Sequence, residues 1–336
     1  MISLYSRKTE TDLTIRKKES MDKYVDLIQW GRENPTKFIE EIFGIQLIDF
    51  QKNLILGTWT SNRAVWCAAR NSGKSFLVAI YAMLRALLLP NCTIYIVSNS
   101  ADQAQATFNK ICKLCRGEEQ SVQTDPCMFY NELVKSNANT DGFIKKQGNY
   151  SLTLFNGSTI QTLAANPDTA RGRRANVVIF DEAAYVSDVM YQACLPFINQ
   201  DPNFKTGKGF NSKVHPKTFN NQIIMCSSAG SVNTECYRAY RQCIINSIIG
   251  YPGYYAADIN CEMTLHPYIN GKPVPAIANK AEMEMIRDTD IRKYNTEFMN
   301  LWTDMESPDS LLQRSVIIRN EKKYLPETAS TNKTKK

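Results

Sequence analysis

Residues 68–75 read Ala-Ala-Arg-Asn-Ser-Gly-Lys-Ser, which are residue types and a spacing typical of a loop that binds nucleotide phosphates. Gly73 lets the backbone turn tightly, Lys74 can reach the outer phosphates, and the Ser75 hydroxyl can ligate Mg²⁺. Ala68 stands where the usual pattern has its first glycine, and its methyl group constrains the loop dihedrals without removing a phosphate ligand. The alternative interpretation is a chance Gly-Lys-Ser at the start of a helix. The residues predicted to contact ATP are Ala69, Arg70, Asn71, Ser72, Gly73, Lys74 and Ser75.

A second motif, residues 177–182, is an apolar run that ends in two adjacent carboxylates. Asp181, at the carboxyl end of the predicted strand, would hold Mg²⁺ together with Ser75. Glu182 would be the catalytic carboxylate that orients and polarises the attacking water. Alone, the pattern could also be a strand followed by a solvated acidic turn. Beside a phosphate-binding loop, it favours hydrolysis of ATP.

Two arginines are candidates for neutralising the charge that develops on the phosphates during hydrolysis. Arg70 lies inside the loop and could act on the nucleotide of its own chain. Arg171 lies just before the acidic strand and could project towards the nucleotide of a neighbouring subunit. For the nearby Arg173 and Arg174, contact with DNA phosphates or acidic surface residues is an alternative of at least equal weight.

Two further polar residues are candidate nucleotide contacts. Ser228 directly follows the apolar run 222–227, in a small polar turn that could sense the terminal phosphate, although an ordinary turn at a strand end is the alternative. Gln51 precedes the strand of the loop at a distance from which its amide could read the edge of adenine. A plain amphipathic helix explains Gln51 nearly as well.

Composition and charge narrow the class of protein. The chain has 336 residues and a net charge of +7, which permits contact with DNA phosphates without requiring it. Ten scattered cysteines and an N-terminus without a signal-peptide pattern indicate reduced thiols in a cytoplasm. Cys112 and Cys115 are interpreted as helix packing, because no second pair has zinc-ligand spacing. The longest apolar run, residues 76–90, is interrupted by Arg85 and too short to cross a bilayer, so we expect no membrane association.

Short apolar runs alternate with amphipathic stretches, which predicts an α/β fold with a central, mostly parallel sheet flanked by helices. Ser100 and Gln103 have capping-box spacing at the start of one predicted helix. Asn156-Gly157 predicts a hairpin at one edge of the sheet. The predicted core strands are residues 64–68, 93–98, 177–180 and 222–227, the hairpin strands are 151–155 and 158–163, and the helices between the first strands are 74–89 and 100–115.

Four segments are predicted along the chain. Two short helices flank Pro35 in the first segment, residues 1–47. A loop rich in Asn, Lys, Gly and Pro covers residues 201–221 of the second segment, residues 48–233. The third segment carries helices over 234–249 and 281–302 and a strand around 254–259. The segments are residues 1–47, an N-terminal arm with flanking helices; 48–233, the P-loop ATPase core; 234–313, a small lid-like helical subdomain; and 314–336, a basic tail or linker.

Together, these motifs resemble the ATPase half of the terminase large subunits of tailed phages and herpesvirus-type viruses, the motors that pump viral DNA into procapsids. The resemblance covers about residues 48–302 and includes Gln51, the loop arginine three residues before Gly73, the Ala-Arg-Gly-Arg-Arg-Ala-Asn run before Asp181, and Ser227-Ser228-Ala229. It implies a P-loop NTPase of the additional-strand, catalytic-glutamate (ASCE), RecA-like kind that uses ATP and Mg²⁺. It also implies double-stranded DNA, a portal protein and a small terminase subunit as partners, a homo-oligomeric ring on the portal, and a location in the host-cell cytoplasm.

Members of this family usually continue into a ribonuclease H-like nuclease, and this sequence stops where the first acidic strand of that domain would begin. No nuclease activity is therefore expected of it. Two other functions stay open. A superfamily 2 helicase-like DNA-dependent ATPase needs a second RecA-like domain, and the roughly 110 residues after Ser228 are too few for one. A nucleotide-dependent scaffold or binding module would hydrolyse ATP slowly, and DNA would not be needed for its turnover.

Overall fold

One sheet forms the centre of the fold in the computed structural model, which describes residues 15–118, 128–135, 141–146, 149–163, 166–205, 215–216 and 219–304. Within these residues the sheet has eight strands, and a separate pair, β9 and β10, forms a small antiparallel ribbon. The strands are β1 (Arg63–Ala68), β2 (Thr93–Val97), β3 (Phe143–Lys146), β4 (Asn149–Thr153), β5 (Thr159–Leu163), β6 (Val177–Asp181), β7 (Gln222–Ser227), β8 (Tyr254–Ile259), β9 (Tyr268–Ile269) and β10 (Lys272–Pro273).

The spatial order of the strands is β3-β4-β5-β2-β6-β7-β1-β8. From β5 to β8 all neighbours are parallel, whereas β3 and β4 add an antiparallel edge through the hairpin at Asn156-Gly157. The predicted α/β fold with a mostly parallel sheet is confirmed. Because parallel strands end at the same edge of a sheet, the carboxyl ends of β1, β7, β6 and β2 lie side by side, with β7 between β1 and β6.

Helices cover both faces of this sheet, which is why its strands are apolar on both sides. Trp66, Ile94 and Ile179 belong to the cluster on one face, whereas Val65 and Phe180 belong to the cluster on the other. The helices are α1 (Ile15–Glu33), α2 (Pro35–Glu41), α3 (Asp49–Trp59), α4 (Lys74–Leu88), α5 (Ala101–Arg116), α6 (Pro167–Ala170), α7 (Asp188–Cys194), α8 (Glu235–Ile249), α9 (Cys261–Leu265), α10 (Lys280–Thr289) and α11 (Ile291–Glu297).

Helix α4 is the central helix, and every residue from Leu77 to Leu88 is buried. From Leu77 onward the helix is apolar on nearly all sides, with Arg85 as its charged residue, as expected for a helix enclosed by the core. The Arg85 guanidinium donates to the Trp59 and Asn220 carbonyls and lies between the rings of Trp59 and Phe219. The helix that follows the phosphate loop is thus fixed firmly behind β1.

Two elements differ from their prediction. The helix predicted over residues 281–302 is divided into α10 and α11, because the Asp290 carboxylate accepts hydrogen bonds from the Arg292 and Lys293 amides and caps the second helix. The strand predicted for the lid-like subdomain, β8, instead pairs with β1 along its whole length. The main sheet therefore extends beyond residue 233, the predicted end of the ATPase core.

The first helix is longer than predicted, since α1 begins at Ile15, and Pro35 opens α2 as expected at a first helical position. The predicted basic tail (314–336), residues 1–14 of the predicted arm and most of the predicted loop over 201–221 lie outside the described residues. Among the helices described, none is long and apolar enough to cross a lipid bilayer.

Candidate active site

The phosphate loop joins the end of β1 to the start of α4, as predicted. Gly73 caps α4 in the left-handed region, with a φ of 82°, and Asn71 has a φ of 64°. Glycine reaches this region without strain, and asparagine is among the few other residues that adopt it readily. The Lys74 Nζ donates to the Ala68 and Ala69 carbonyls at 3.0 and 3.1 Å, so the ammonium lies across the loop.

Three backbone amides of the loop donate within the protein. The Ala69 amide bonds the Ile259 carbonyl of β8, the Arg70 amide bonds the Glu297 carbonyl of α11, and the Ser72 amide bonds the Ala69 carbonyl. The first amides of any helix have no intrahelical acceptor, so those that open α4 face the loop. Of the seven residues predicted to contact ATP, Gly73, Lys74 and Ser75 lie at this helix start, and their backbone amides are suited to phosphate oxygens.

Asp181 ends β6, and its carboxylate is buried. One oxygen, Oδ2, accepts a 2.6 Å hydrogen bond from the Thr107 hydroxyl of α5. The other, Oδ1, is buried and has no hydrogen-bond partner among the described residues. A buried carboxylate oxygen without a donor is costly unless a cation satisfies it. This fits the prediction that Asp181, with the Ser75 hydroxyl at the start of α4, could hold Mg²⁺.

Glu182 follows directly in the left-handed conformation, with a φ of 54°. This conformation is uncommon for glutamate and turns the chain sharply at the end of β6. Burial raises the pKa of Glu182 above the ordinary value for glutamate, and the nearby Lys74 ammonium partly offsets the rise. The carboxylate is therefore a stronger base than one exposed to water.

A cavity of about 470 Å³ lies over the carboxyl ends of the central strands. Four of the predicted site residues line it, namely Arg70, Lys74, Glu182 and Ser228, together with four that sequence reasoning missed, namely Asn99, Gln103, Tyr185 and Glu297. The topology thus brings the loop lysine, the acidic residue after β6 and the turn after β7 into one pocket. A lysine facing a carboxylate of raised pKa can bind a terminal phosphate and activate water beside it.

The comparisons with known proteins agree with this geometry. Residues 57–195, which contain both the phosphate loop and the acidic end of β6, match the family described as "Terminase large subunit, ATPase domain". The residues that carry both motifs are therefore similar to the ATPase domain of terminase large subunits. No curated protein matches the chain.

Three solved terminases resemble this chain in fold. The Thermus phage P74-26 large terminase ATPase domain has a TM-score of 0.52 and 17% identity, over 80% of this chain and 98% of that one. The HK97 bacteriophage large terminase has a TM-score of 0.58 and 16% identity, over 81% of this chain and 55% of that one. The large terminase of a thermophilic bacteriophage, in complex with ADP, has a TM-score of 0.50 and 9% identity, over 76% and 54%. The chain therefore spans about half the length of the last two proteins.

Arg70 is held by a residue far away in the sequence. Its guanidinium lies 2.8 Å from the Glu297 carboxylate, and the two residues are also joined by a backbone hydrogen bond. The pKa of Arg70 is raised by this hydrogen bond and by the charge of Glu297. Helix α11 thereby fixes the loop arginine at the rim of the cavity, where it can act on the nucleotide of its own chain.

Gln51 is buried in α3 beside the loop. Its Oε1 accepts from the Ile48 amide at 3.3 Å, and a methyl group added at Gly73 would lie 3.3 Å from its Nε2. Gln51 thus packs against the phosphate loop and caps α3, but it does not line the cavity. Its predicted contact with adenine stays a prediction.

Arg171 directly follows α6 and lies outside the cavity. Its side chain is 71% exposed and 3.9 Å from the Asp168 carboxylate. Arg173 lies over the Tyr95 ring and donates to the Thr169 carbonyl, which occupies it within its own chain. The exposure of Arg171 is compatible with a role at a neighbouring subunit, which stays a prediction.

Ser228 lies in the turn after β7, as predicted. It is buried, and it lines the cavity together with Tyr185, which lies three residues after Glu182. Burial raises the pKa of Tyr185, which keeps its hydroxyl neutral and available as a hydrogen-bond donor.

Of the missed residues, Tyr185 and Gln103 could have been suspected from their places next to a strand end. Glu297 had no local signal.

Proposed function

We propose that this chain is an ATP-hydrolysing motor subunit that translocates double-stranded DNA into a viral procapsid. The observation that carries the proposal is the shared cavity of Lys74 and Glu182, at the ends of β1 and β6, in a domain of the terminase large-subunit ATPase family. The family supports ATPase activity in general. Coupling to DNA translocation is the proposed part.

The residues divide the work of hydrolysis among them. The loop amides around Gly73 and the Lys74 ammonium bind the phosphates and neutralise their charge. Glu182 accepts a hydrogen bond from the attacking water and polarises it towards the terminal phosphorus. Its raised pKa strengthens it as a base. Arg70, at the rim of the same cavity, can stabilise the negative charge that develops on the phosphate oxygens as the bond between the terminal phosphorus and ADP breaks.

Mg²⁺ would be held by the Ser75 hydroxyl and the free Oδ1 of Asp181, with Thr107 fixing the other carboxylate oxygen. When bound there, Mg²⁺ would offset part of the negative charge on the outer phosphates. We propose ATP as the nucleotide, a choice supported by the family description and by the ADP complex of the terminase from the thermophilic bacteriophage.

The partners are proposed on the same basis. Double-stranded DNA, a portal protein and a small terminase subunit are those that a packaging motor needs, and the net charge of +7 is compatible with DNA phosphates. We propose a homo-oligomeric ring on the portal, in the cytoplasm of the host cell, with Arg171 of one subunit reaching the nucleotide of the next. The exposed guanidinium of Arg171 supports this arrangement.

The test is the steady-state rate of ATP hydrolysis with and without double-stranded DNA and portal-bearing procapsids, with Lys74→Ala as the inactive control. A motor predicts stimulated turnover, together with DNA that becomes protected from nuclease inside the procapsid. Nucleotide binding whose slow turnover ignores DNA would instead indicate a scaffold or binding module. Unwinding of a duplex would indicate a helicase.

A further inference from the structure

We propose that Gln103 is a ligand of the terminal phosphate of ATP, with its amide oriented for this role by Ser98. The proposal rests on the proposed function, because it assumes that the cavity takes a nucleoside triphosphate. It assigns a role to a residue that lies outside the phosphate loop and outside the acidic end of β6.

The order of the strands sets the side of the cavity on which Gln103 lies. β1 carries the phosphate loop, β7 comes next, then β6 with Glu182, and β2 lies beyond β6. Gln103 follows β2, on α5, and lines the same cavity as Lys74 and Glu182. Gln103 therefore lies on the opposite side of Glu182 from the phosphate loop, where it faces the position of the attacking water and the terminal phosphate. Gln51, in contrast, lies on α3 and packs against the loop.

A short hydrogen bond fixes helix α5 relative to the end of β6. Thr107 and Gln103 are four residues apart and so share a face of the helix. The Thr107 hydroxyl bonds the Asp181 carboxylate at 2.6 Å, one turn deeper in the protein. Gln103 therefore lies one turn above Asp181, towards the mouth of the cavity. The amino end of α5 also lies here, and its partial positive charge favours an anion.

The orientation of the Gln103 amide is set by Ser98. The Ser98 hydroxyl is fully buried and donates to the Gln103 Oε1 at 2.9 Å. This contact occupies the amide oxygen, so the Nε2 group, which can only donate, points away from Ser98. No described residue accepts from that Nε2. A fixed donor on the wall of a cavity that contains Lys74 suits an anionic oxygen.

The same contact explains why the predicted capping box is only half formed. The Ser100 hydroxyl accepts from the Gln103 amide, as the pattern predicts, and caps α5. In a full capping box the glutamine side chain would return to the Ser100 amide. Here it bonds Ser98 instead and is held at the cavity, so the side chain serves the site rather than the helix end.

The experiment compares the dissociation constants of ATPγS and ADP, both with Mg²⁺, by isothermal titration calorimetry. Only ATPγS has a terminal phosphate, so Gln103→Ala should weaken its binding about tenfold or more, as expected for a lost hydrogen bond to a charged acceptor. ADP binding should change by less than about twofold, which also reports that the variant is folded. Gln103→Glu keeps the shape and the Ser98 contact but faces the phosphate with a carboxylate, so its loss should exceed that of Gln103→Ala.

Two further variants sharpen the test. Ser98→Ala frees the amide to rotate and should weaken ATPγS binding by a smaller factor, about threefold. Gln105→Ala, the same change two residues further along α5 and outside the cavity, should leave both constants unchanged. An unchanged ratio of ATPγS to ADP affinity in both Gln103 variants would overturn the inference, as would a selective loss of DNA-stimulated turnover. A wild-type chain that prefers ATPγS yet never hydrolyses ATP would refute the proposed function alone.

Discussion

Substitution of Thr107 by valine tests the packing behind the acidic end of β6 without touching the cavity. Valine has the shape of threonine and nearly the same helix propensity, so the change removes little besides the hydroxyl. Thr107 is 1% exposed and Asp181 is 3% exposed. With Oδ1 already unpartnered, the loss of the bond to Oδ2 leaves both oxygens of the buried Asp181 carboxylate without a donor.

The magnitude follows from the charge of the acceptor. A hydrogen bond to a charged group contributes about 1.5–3 kcal/mol, against about 0.5–1.5 kcal/mol for a neutral pair. Thr264 supplies a matched control, because it is also helical and fully buried but donates to the neutral Cys261 carbonyl at 2.8 Å. We expect Thr107→Val to lower the free energy of unfolding by about 2–3 kcal/mol and Thr264→Val to lower it by about 1 kcal/mol.

The assay is urea unfolding at neutral pH in the presence of EDTA, followed by circular dichroism. Asp181→Asn completes a double-mutant cycle with each threonine. The coupling energy should be at least about 1 kcal/mol for Thr107 and close to zero for Thr264, which does not contact Asp181. Equal losses for the two valine variants, or a Thr107 cycle without coupling, would refute the reasoning that this hydroxyl holds a buried carboxylate.

Three predictions address the chemistry. Lys74→Ala should bind ATP weakly and hydrolyse none at detectable rates, as calorimetry and a phosphate-release assay would check, and retained turnover would contradict the phosphate loop. Glu182→Gln should bind ATP but hydrolyse it at least about 100-fold more slowly. Because burial raises the pKa of Glu182 in the folded state, the unfolded chain binds fewer protons between the two pKa values, and stability falls as pH rises from about 4.5 through the raised value. The glutamine variant should therefore melt at a higher temperature than wild type at pH 7, and an equal or lower melting temperature would contradict the burial argument. Arg171→Ala should bind ATP normally and hydrolyse it about 1,000-fold more slowly, and mixing it with Glu182→Gln subunits should restore some activity if the arginine acts on a neighbour. Failure to complement despite co-assembly would transfer that role to Arg70.

Sequence patterns were sufficient to predict a strand, a helix or a loop wherever the signal for it is local. The apolar runs that became β1, β2, β6 and β7 are bounded by turn residues, and the phosphate loop combines three distinctive residue types within eight positions. The interruption at Asp290 was also visible in principle, since aspartate is a common helix cap. The apolar periodicity continues on both sides of Asp290, however, and so favoured a single uninterrupted helix.

The rest could not be predicted because it depends on contacts between distant parts of the chain. The place of β8 beside β1 is fixed by pairing between residues 63–68 and 254–259. Glu297 lies 227 residues from Arg70, and no periodicity relates the two. Gln103 shows a different limit, because the capping pattern located the helix start but could not reveal that Ser98 would compete for the side chain.

The segment around α11 is hydrogen-bonded to the elements that form the candidate active site. The Glu297 carbonyl accepts from the Arg70 amide, the Asn300 side chain donates to the Cys67 carbonyl of β1, and the Thr303 amide donates to the Gly230 carbonyl after β7. These contacts tie one stretch of chain to the phosphate loop, to its strand and to the turn that carries Ser228. Hydrogen bonds hold only over a narrow range of distances and angles. If the loop shifts when nucleotide binds, this stretch has to shift with it or one of these bonds breaks. A boundary at residue 233 would remove β8 and leave these polar groups of the loop and of β1 without partners, so the folded unit that forms the cavity includes the segment through residue 304.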